Sequence, residues 1–143
     1  MDPREFHVLA LELVTKNRAA EMRTAISRAY YAAHNFGAQI LSEMGFRIST
    51  GSACHWDVWS RLRNSSDVQL SKVGIQLAEL HSKRILADYR MNRSEGENRV
   101  TAQTLVQAAA QMIKTLDECR FEPRRHQIIE AIREWENKTG QRS

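Results

Sequence analysis

The 143-residue chain is long enough for one domain with its own core, unaided by metal or disulfides. Its 42% hydrophobic and 27% charged residues exclude a disordered chain, and no apolar run approaches the roughly eighteen residues of a membrane span. The net charge of +4 suits a polyanionic partner such as RNA. The start, Met1 to His7, lacks a basic stretch followed by an apolar one, so no signal peptide is expected and the cytoplasm is the expected location.

Residues 3–16 carry Phe6, Leu9, Ala10, Leu13 and Val14 at helical spacing, with Pro3 in a first turn. A polar break at Lys16–Arg18 precedes a long helix over 19–44. Its stripe runs through Ile26, Ala29, Tyr30, Ala33, Phe36, Gly37, Ile40, Leu41 and Met44, with Gly45 as the stop. Arg47 to Ala53 reads as a loop. A short helix over 54–63 holds His55, Trp56, Val58, Trp59 and Leu62. Asn64–Asp67 is a turn with N-cap candidates, followed by a helix over 68–91 striped by Leu70, Val73, Leu77 and Leu80. Asn92–Asn98 is a loop, and Thr101–Leu116 is the next helix. Pro123 opens a last one through Ile128, Ile129, Ile132 and Trp135, ended by Gly140. No alternating strand pattern occurs, so an all-α up-and-down bundle of five to six helices is expected.

Some residues do not suit a plain bundle. Opposite the stripe of the long helix lie Thr24, Arg28, Tyr31, Asn35 and Ser42, with no Lys or Glu among them, and His34 sits at the edge of this arc. Such a face meets another helix, within the fold or in a second subunit. His81, Arg84 and Asp88 fall on the apolar stripe of the fourth long element; Arg84 and Asp88 are spaced to pair and to tether Tyr30 or Tyr31. His55 either caps a helix, bonds into the core or takes part in chemistry. Cys54 and Cys119 read as reduced thiols, and neither Cys54–His55 nor Cys119 with His126 has the clustering of a zinc site, so no metal or cofactor is expected.

The stretch Thr24-Ala-Ile-Ser-Arg-Ala-Tyr-Tyr-Ala-Ala-His34 resembles the S-A-x-S-R-A-Y-Y-A signature of one branch of the HEPN family. His55 after a loop is similar to a histidine of that branch, and Leu80-His-Ser-Lys-Arg84-Ile-Leu-Ala-Asp88-Tyr89 resembles its L-x3-R-x2-A-D-Y element. The likeness spans residues 3–118. It implies a HEPN-like domain over 1–118, with 119–143 as a helical extension packed on it, and a homodimer. It also implies a metal-independent endoribonuclease, the toxin or effector of a toxin–antitoxin or antiviral defence system, with RNA as substrate.

The family's Arg, four to six residues, then His falls on Arg28 and His34, the implied catalytic pair. Related sequences place the histidine where Asn35 stands here; Arg28 and His34 then point about 120° apart and meet across a dimer or by side-chain reach. Arginine suits phosphate and histidine suits proton transfer. Tyr31 and Asn35 would orient the phosphate or stack a base. His55, Arg84, Asp88 and Tyr89 are structural or secondary candidates. The resemblance leaves open a non-catalytic binding module that partners a small nucleotidyltransferase or another defence-system protein, with Tyr89 and Tyr31 as modification candidates. It equally leaves open a helical dimer that serves as an assembly subunit.

Overall fold

A computed structural model describes residues 1–141. They form six α-helices and one 3-10 turn, with no strand among the described residues: α1 Glu5–Leu13, α2 Ala19–Glu43, α3 Cys54–Arg63, α4 Val68–Tyr89, the 3-10 turn Glu95–Glu97, α5 Arg99–Cys119 and α6 Arg124–Thr139. The long elements match the apolar periodicity; α5 runs past its expected span at both ends, and the expected loop 92–98 contains the 3-10 turn. No described helix is long and apolar enough to cross a membrane.

The bundle is built around α2, which packs against α1, α3, α4, α5 and the 3-10 turn. Small side chains permit this. Ala25, Ala29, Ala32 and Ala33 are fully buried, so neighbouring helices can approach on more than one side. At Gly37 an added Cβ would sit 3.3 Å from Val58 Cγ1 of α3. The arc of Arg28, Tyr31 and Asn35 is therefore half-buried within the fold, whereas Thr24 and Ser42 remain exposed.

The ends of the helices are tied off locally. The Glu21 carboxylate accepts from the Arg18 backbone N–H at 3.1 Å, and Asp67 accepts from the Leu70 N–H at 2.9 Å, so orphan amides at both starts are satisfied. α2 stops at Gly45, whose φ of +95° lets the Phe46 N–H reach the Leu41 carbonyl at 2.9 Å. The far end of α4 is closed by Arg23 of α2. Its guanidinium donates to the carbonyls of Leu86, Ala87, Arg90 and Arg93 and pairs with Glu97 at 2.5 Å. A cation there complements the negative pole of the helix.

α6 is fixed on the α3 side. Ile128 and Ile132 are buried, the rings of Trp56 and Trp135 are 6.0 Å apart, and Arg61 donates to Glu136 at 3.0 Å. Arg61 is almost fully enclosed and also donates to the Asp57 carbonyl, so its charge is paired and hydrogen-bonded where it lies.

Candidate functional site

Three helices bring the polar residues together. α2 supplies Ser27, Arg28, Tyr30, Tyr31 and His34. α3 begins at Cys54, which places Cys54 and His55 in its first turn. α4 supplies His81, Arg84 and Asp88 on successive turns. The register of α3 against α4 is set at Gly74, where a Cβ would stand only 2.5 Å from the Arg63 backbone nitrogen and 2.8 Å from the Trp59 carbonyl oxygen. Only glycine allows the two backbones to approach this closely.

Tyr30 is the centre of the cluster and is wholly buried. Its hydroxyl shares a 2.6 Å hydrogen bond with His55 Nδ1 and lies 3.4 Å from His34 Nδ1. His34 Nε2 is 3.8 Å from Cys54 Sγ. The imidazoles form a row, with ring centres 4.8 Å apart for His34 and His55 and 4.5 Å apart for His55 and His81. His34, Tyr30 and Arg84 form the buried floor; Tyr31, His55, His81, Arg28 and Asp88 are half-buried and form the accessible side.

Arg84 supplies the charge. It is 5% exposed, with Nη1 3.5 Å from Asp88 Oδ2 and Nη2 3.4 Å from His81 Nε2, while its buried Nε has no hydrogen-bond partner. Its guanidinium carbon lies 5.6, 5.2 and 5.7 Å from the ring centres of Tyr30, Tyr31 and Tyr89. Asp88 also accepts from Ser27 Oγ at 3.0 Å, and Ser27 Oγ accepts from Arg28 Nη2 at 3.2 Å. The Arg28 guanidinium covers Phe6 of α1 at 5.0 Å and Tyr31 at 5.2 Å. Tyr31 thus carries two arginines, while Asp88 is the carboxylate facing them.

Burial, the neighbouring imidazoles and Arg84 hold His34 down at about 4. Burial and then Arg84 lower His55; burial, His55 and Arg84 lower His81. At neutral pH the three rings are uncharged and each keeps one lone pair, that of His81 lying at Nε2 toward the Arg84 donor. Burial pushes the Tyr30 hydroxyl up, and burial together with Asp57 pushes the Cys54 thiol up.

Of the residues singled out in the sequence, Arg28, Tyr31, His34, His55, Arg84 and Asp88 meet in this cluster. Within one chain Tyr31 lies near both Arg28 and His34, its ring centre 5.2 Å from the Arg28 guanidinium carbon and 6.3 Å from the His34 ring centre. Asn35 is half-buried and makes no hydrogen bond to the cluster among the described residues, and Tyr89 is exposed at its rim. Sequence reasoning weighed Cys54 with His55 and set the pair aside for want of clustered ligands, and it gave His81 no chemical role of its own. The usable signals were the adjacency of Cys54 and His55 and the three-residue spacing of His81 and Arg84. Cys119 and His126 stand apart: Cys119 is buried at the end of α5, and His126 pairs with Glu130 at 3.2 Å on exposed α6.

Comparison of the chain with protein-family models, with curated proteins and with solved structures finds no match.

Proposed function

We propose that this chain is a HEPN-type ribonuclease that binds RNA at the α2–α3–α4 cluster and cleaves it without a metal ion. One observation carries the reading: Arg28 and Arg84 flank Tyr31 beside a row of three uncharged imidazoles, and Arg84 Nε is buried without a partner. A phosphodiester answers those features. Its oxygens take the guanidinium donors, and Tyr31 offers a face for a base.

His55 is the imidazole that both reaches the accessible side and is oriented from behind, through the 2.6 Å bond to Tyr30. In the proposed step His55 removes the proton of the ribose 2′-hydroxyl. That oxygen attacks phosphorus, the bond to the 5′-oxygen breaks, and the imidazolium returns the proton to the leaving oxygen. The products are a 2′,3′-cyclic phosphate and a 5′-hydroxyl. The arginines stabilise the charge that develops on phosphate. His34, 4% exposed, acts behind His55 as a positioning group, which moves the proton-transfer role from His34 to its neighbour. A homodimer that sets two such clusters face to face would bring Arg28 of one copy toward the histidines of the other. A place among defence-system toxins follows from the family resemblance and belongs to the same proposal.

The test is cleavage of end-labelled single-stranded RNA by the purified protein in EDTA, beside Arg28→Ala and His55→Gln. Cleavage to cyclic-phosphate ends is expected, with His55→Gln slower by roughly 100-fold or more. Equal rates in all three proteins would sink the assignment. The exposure of Tyr89, 68%, favours a second reading, a non-catalytic module whose tyrosine is modified by a partner nucleotidyltransferase. No cleavage by the wild type, together with label transfer to Tyr89 by such a partner, would select it.

A further inference from the structure

The geometry points to a zinc site in the inner wall of the cluster, formed by His34, Cys54 and His55. A donor atom of each of the three lies within 4.8 Å of those of the other two. Zinc held tetrahedrally, at about 2.0–2.1 Å from nitrogen and about 2.3 Å from sulfur, keeps two such ligands roughly 3.5 Å apart. His34 Nε2 and Cys54 Sγ, at 3.8 Å, are close to that spacing already. Small side-chain rotations of roughly 1 Å would close the remaining gap.

The set is specific in its chemistry. Two imidazoles and one thiolate favour zinc, whereas magnesium and calcium take oxygen ligands. The rings are also aimed. Tyr30 Oη faces Nδ1 of both His34 and His55, so one buried hydroxyl serves as the outer-shell partner of two ligands and leaves each Nε2 as the outward atom. Binding would displace a proton from Cys54 alone, to solvent, because the two imidazoles are already uncharged. The Asp57 carboxylate near Cys54 is shared with Arg61, 3.5 Å away, and with the Ser49 N–H, so it adds little charge for a cation. Arg84 opposes one and is itself paired with Asp88. Three protein ligands leave a fourth position for water or an anion. The ion would join the first turn of α3 to the middle of α2. It would also occupy the lone pair that the proposed ribonuclease needs on His55, so zinc is a stop for that activity. The site itself does not depend on the ribonuclease reading.

The test is titration of metal-free protein with Co²⁺, followed by displacement with Zn²⁺, observed as visible absorption and as the thiolate-to-cobalt charge-transfer band. One equivalent with tetrahedral bands and that charge-transfer band is expected. Cys54→Ser, at a half-exposed position that tolerates the change, should lose the charge-transfer band and bind at least roughly tenfold more weakly; Tyr30→Phe should weaken binding by roughly tenfold. Cys119→Ser should bind as the wild type does. Circular dichroism confirms that each variant is folded. A wild type that binds neither ion, or a Cys54→Ser protein with the wild-type spectrum and affinity, overturns the site. RNA cleavage is read separately. Cobalt binding as described without cleavage removes only the ribonuclease reading, and cleavage without metal binding removes only the zinc site.

Discussion

Gly74→Ala is the sharpest test of how α3 and α4 meet. The new Cβ would lie 2.5 Å from the Arg63 nitrogen, 2.8 Å from the Trp59 oxygen and 2.9 Å from the Arg63 Cα, all backbone atoms. Ordinary contact needs roughly 1 Å more, and no side chain can rotate to provide it. The helices must part along their interface. Overpacking of this kind costs about 1–3 kcal/mol, and the absence of any flexible neighbour puts this case at the upper end, about 3 kcal/mol. Alanine is a better helix former than glycine by about 1 kcal/mol, which opposes the loss. The net expectation is destabilisation by about 2 kcal/mol, or a melting temperature lower by about 6 °C. Urea unfolding followed by far-ultraviolet circular dichroism measures it. An alanine variant as stable as the wild type would refute the close crossing. The same substitution moves His55 away from His81, so histidine ring signals in NMR should shift even in the folded variant.

Two further outcomes follow from the electrostatics. In metal-free protein, His34 sits at about 4 when folded and near 6.5 when unfolded, so the unfolded chain takes up the proton first. The stabilisation is complete above about pH 6.5 and is lost as pH falls toward about 4, by at most about 3 kcal/mol for this one ring. The urea midpoint in EDTA should therefore drop between about pH 7.5 and pH 5 in the wild type and less in His34→Gln; equal slopes would contradict the assigned burial. Asp67→Ala removes both the amide cap of α4 and the 3.0 Å ion pair to Arg124, and should lower stability by about 1–2 kcal/mol, with Asp67→Asn retaining part of the cap. An Asp67→Ala midpoint unchanged from the wild type would show that neither contact contributes.

The helices were legible because their apolar residues recur at helical spacing, and Gly45 and Asp67 mark ends by backbone freedom and capping. The enclosure of α2 was less legible. Its second face reads as polar, because Arg23, Ser27 and His34 are buried there against groups far away in sequence. Arg23 gives no sequence sign of its role, since four of its partners are backbone carbonyls, which no residue type announces. The site was legible by halves. Ser27 to His34 and Arg84 to Asp88 stand out as polar residues on packed helices. Their convergence with Cys54 and His55 depends on the α3–α4 crossing at Gly74, and a glycine inside a helix pattern does not tell which neighbour approaches it.

The hydroxyl of Tyr30 has one hydrogen and faces two ring nitrogens. If it gives that hydrogen to His55 Nδ1, His55 must carry its own proton on Nε2, and His34 must present Nδ1–H to the tyrosine oxygen. His34 Nε2 is then bare and faces the Cys54 thiol. The row from sulfur to His55 therefore has a direction in this state; turned around, Tyr30 gives its hydrogen to His34 Nδ1 and accepts from His55 Nδ1–H, which leaves the lone pair on His55 Nε2. Two imidazoles that belong to different helices are in this way a single proton-bearing unit, whose orientation is legible at its outer end, at His55 Nε2.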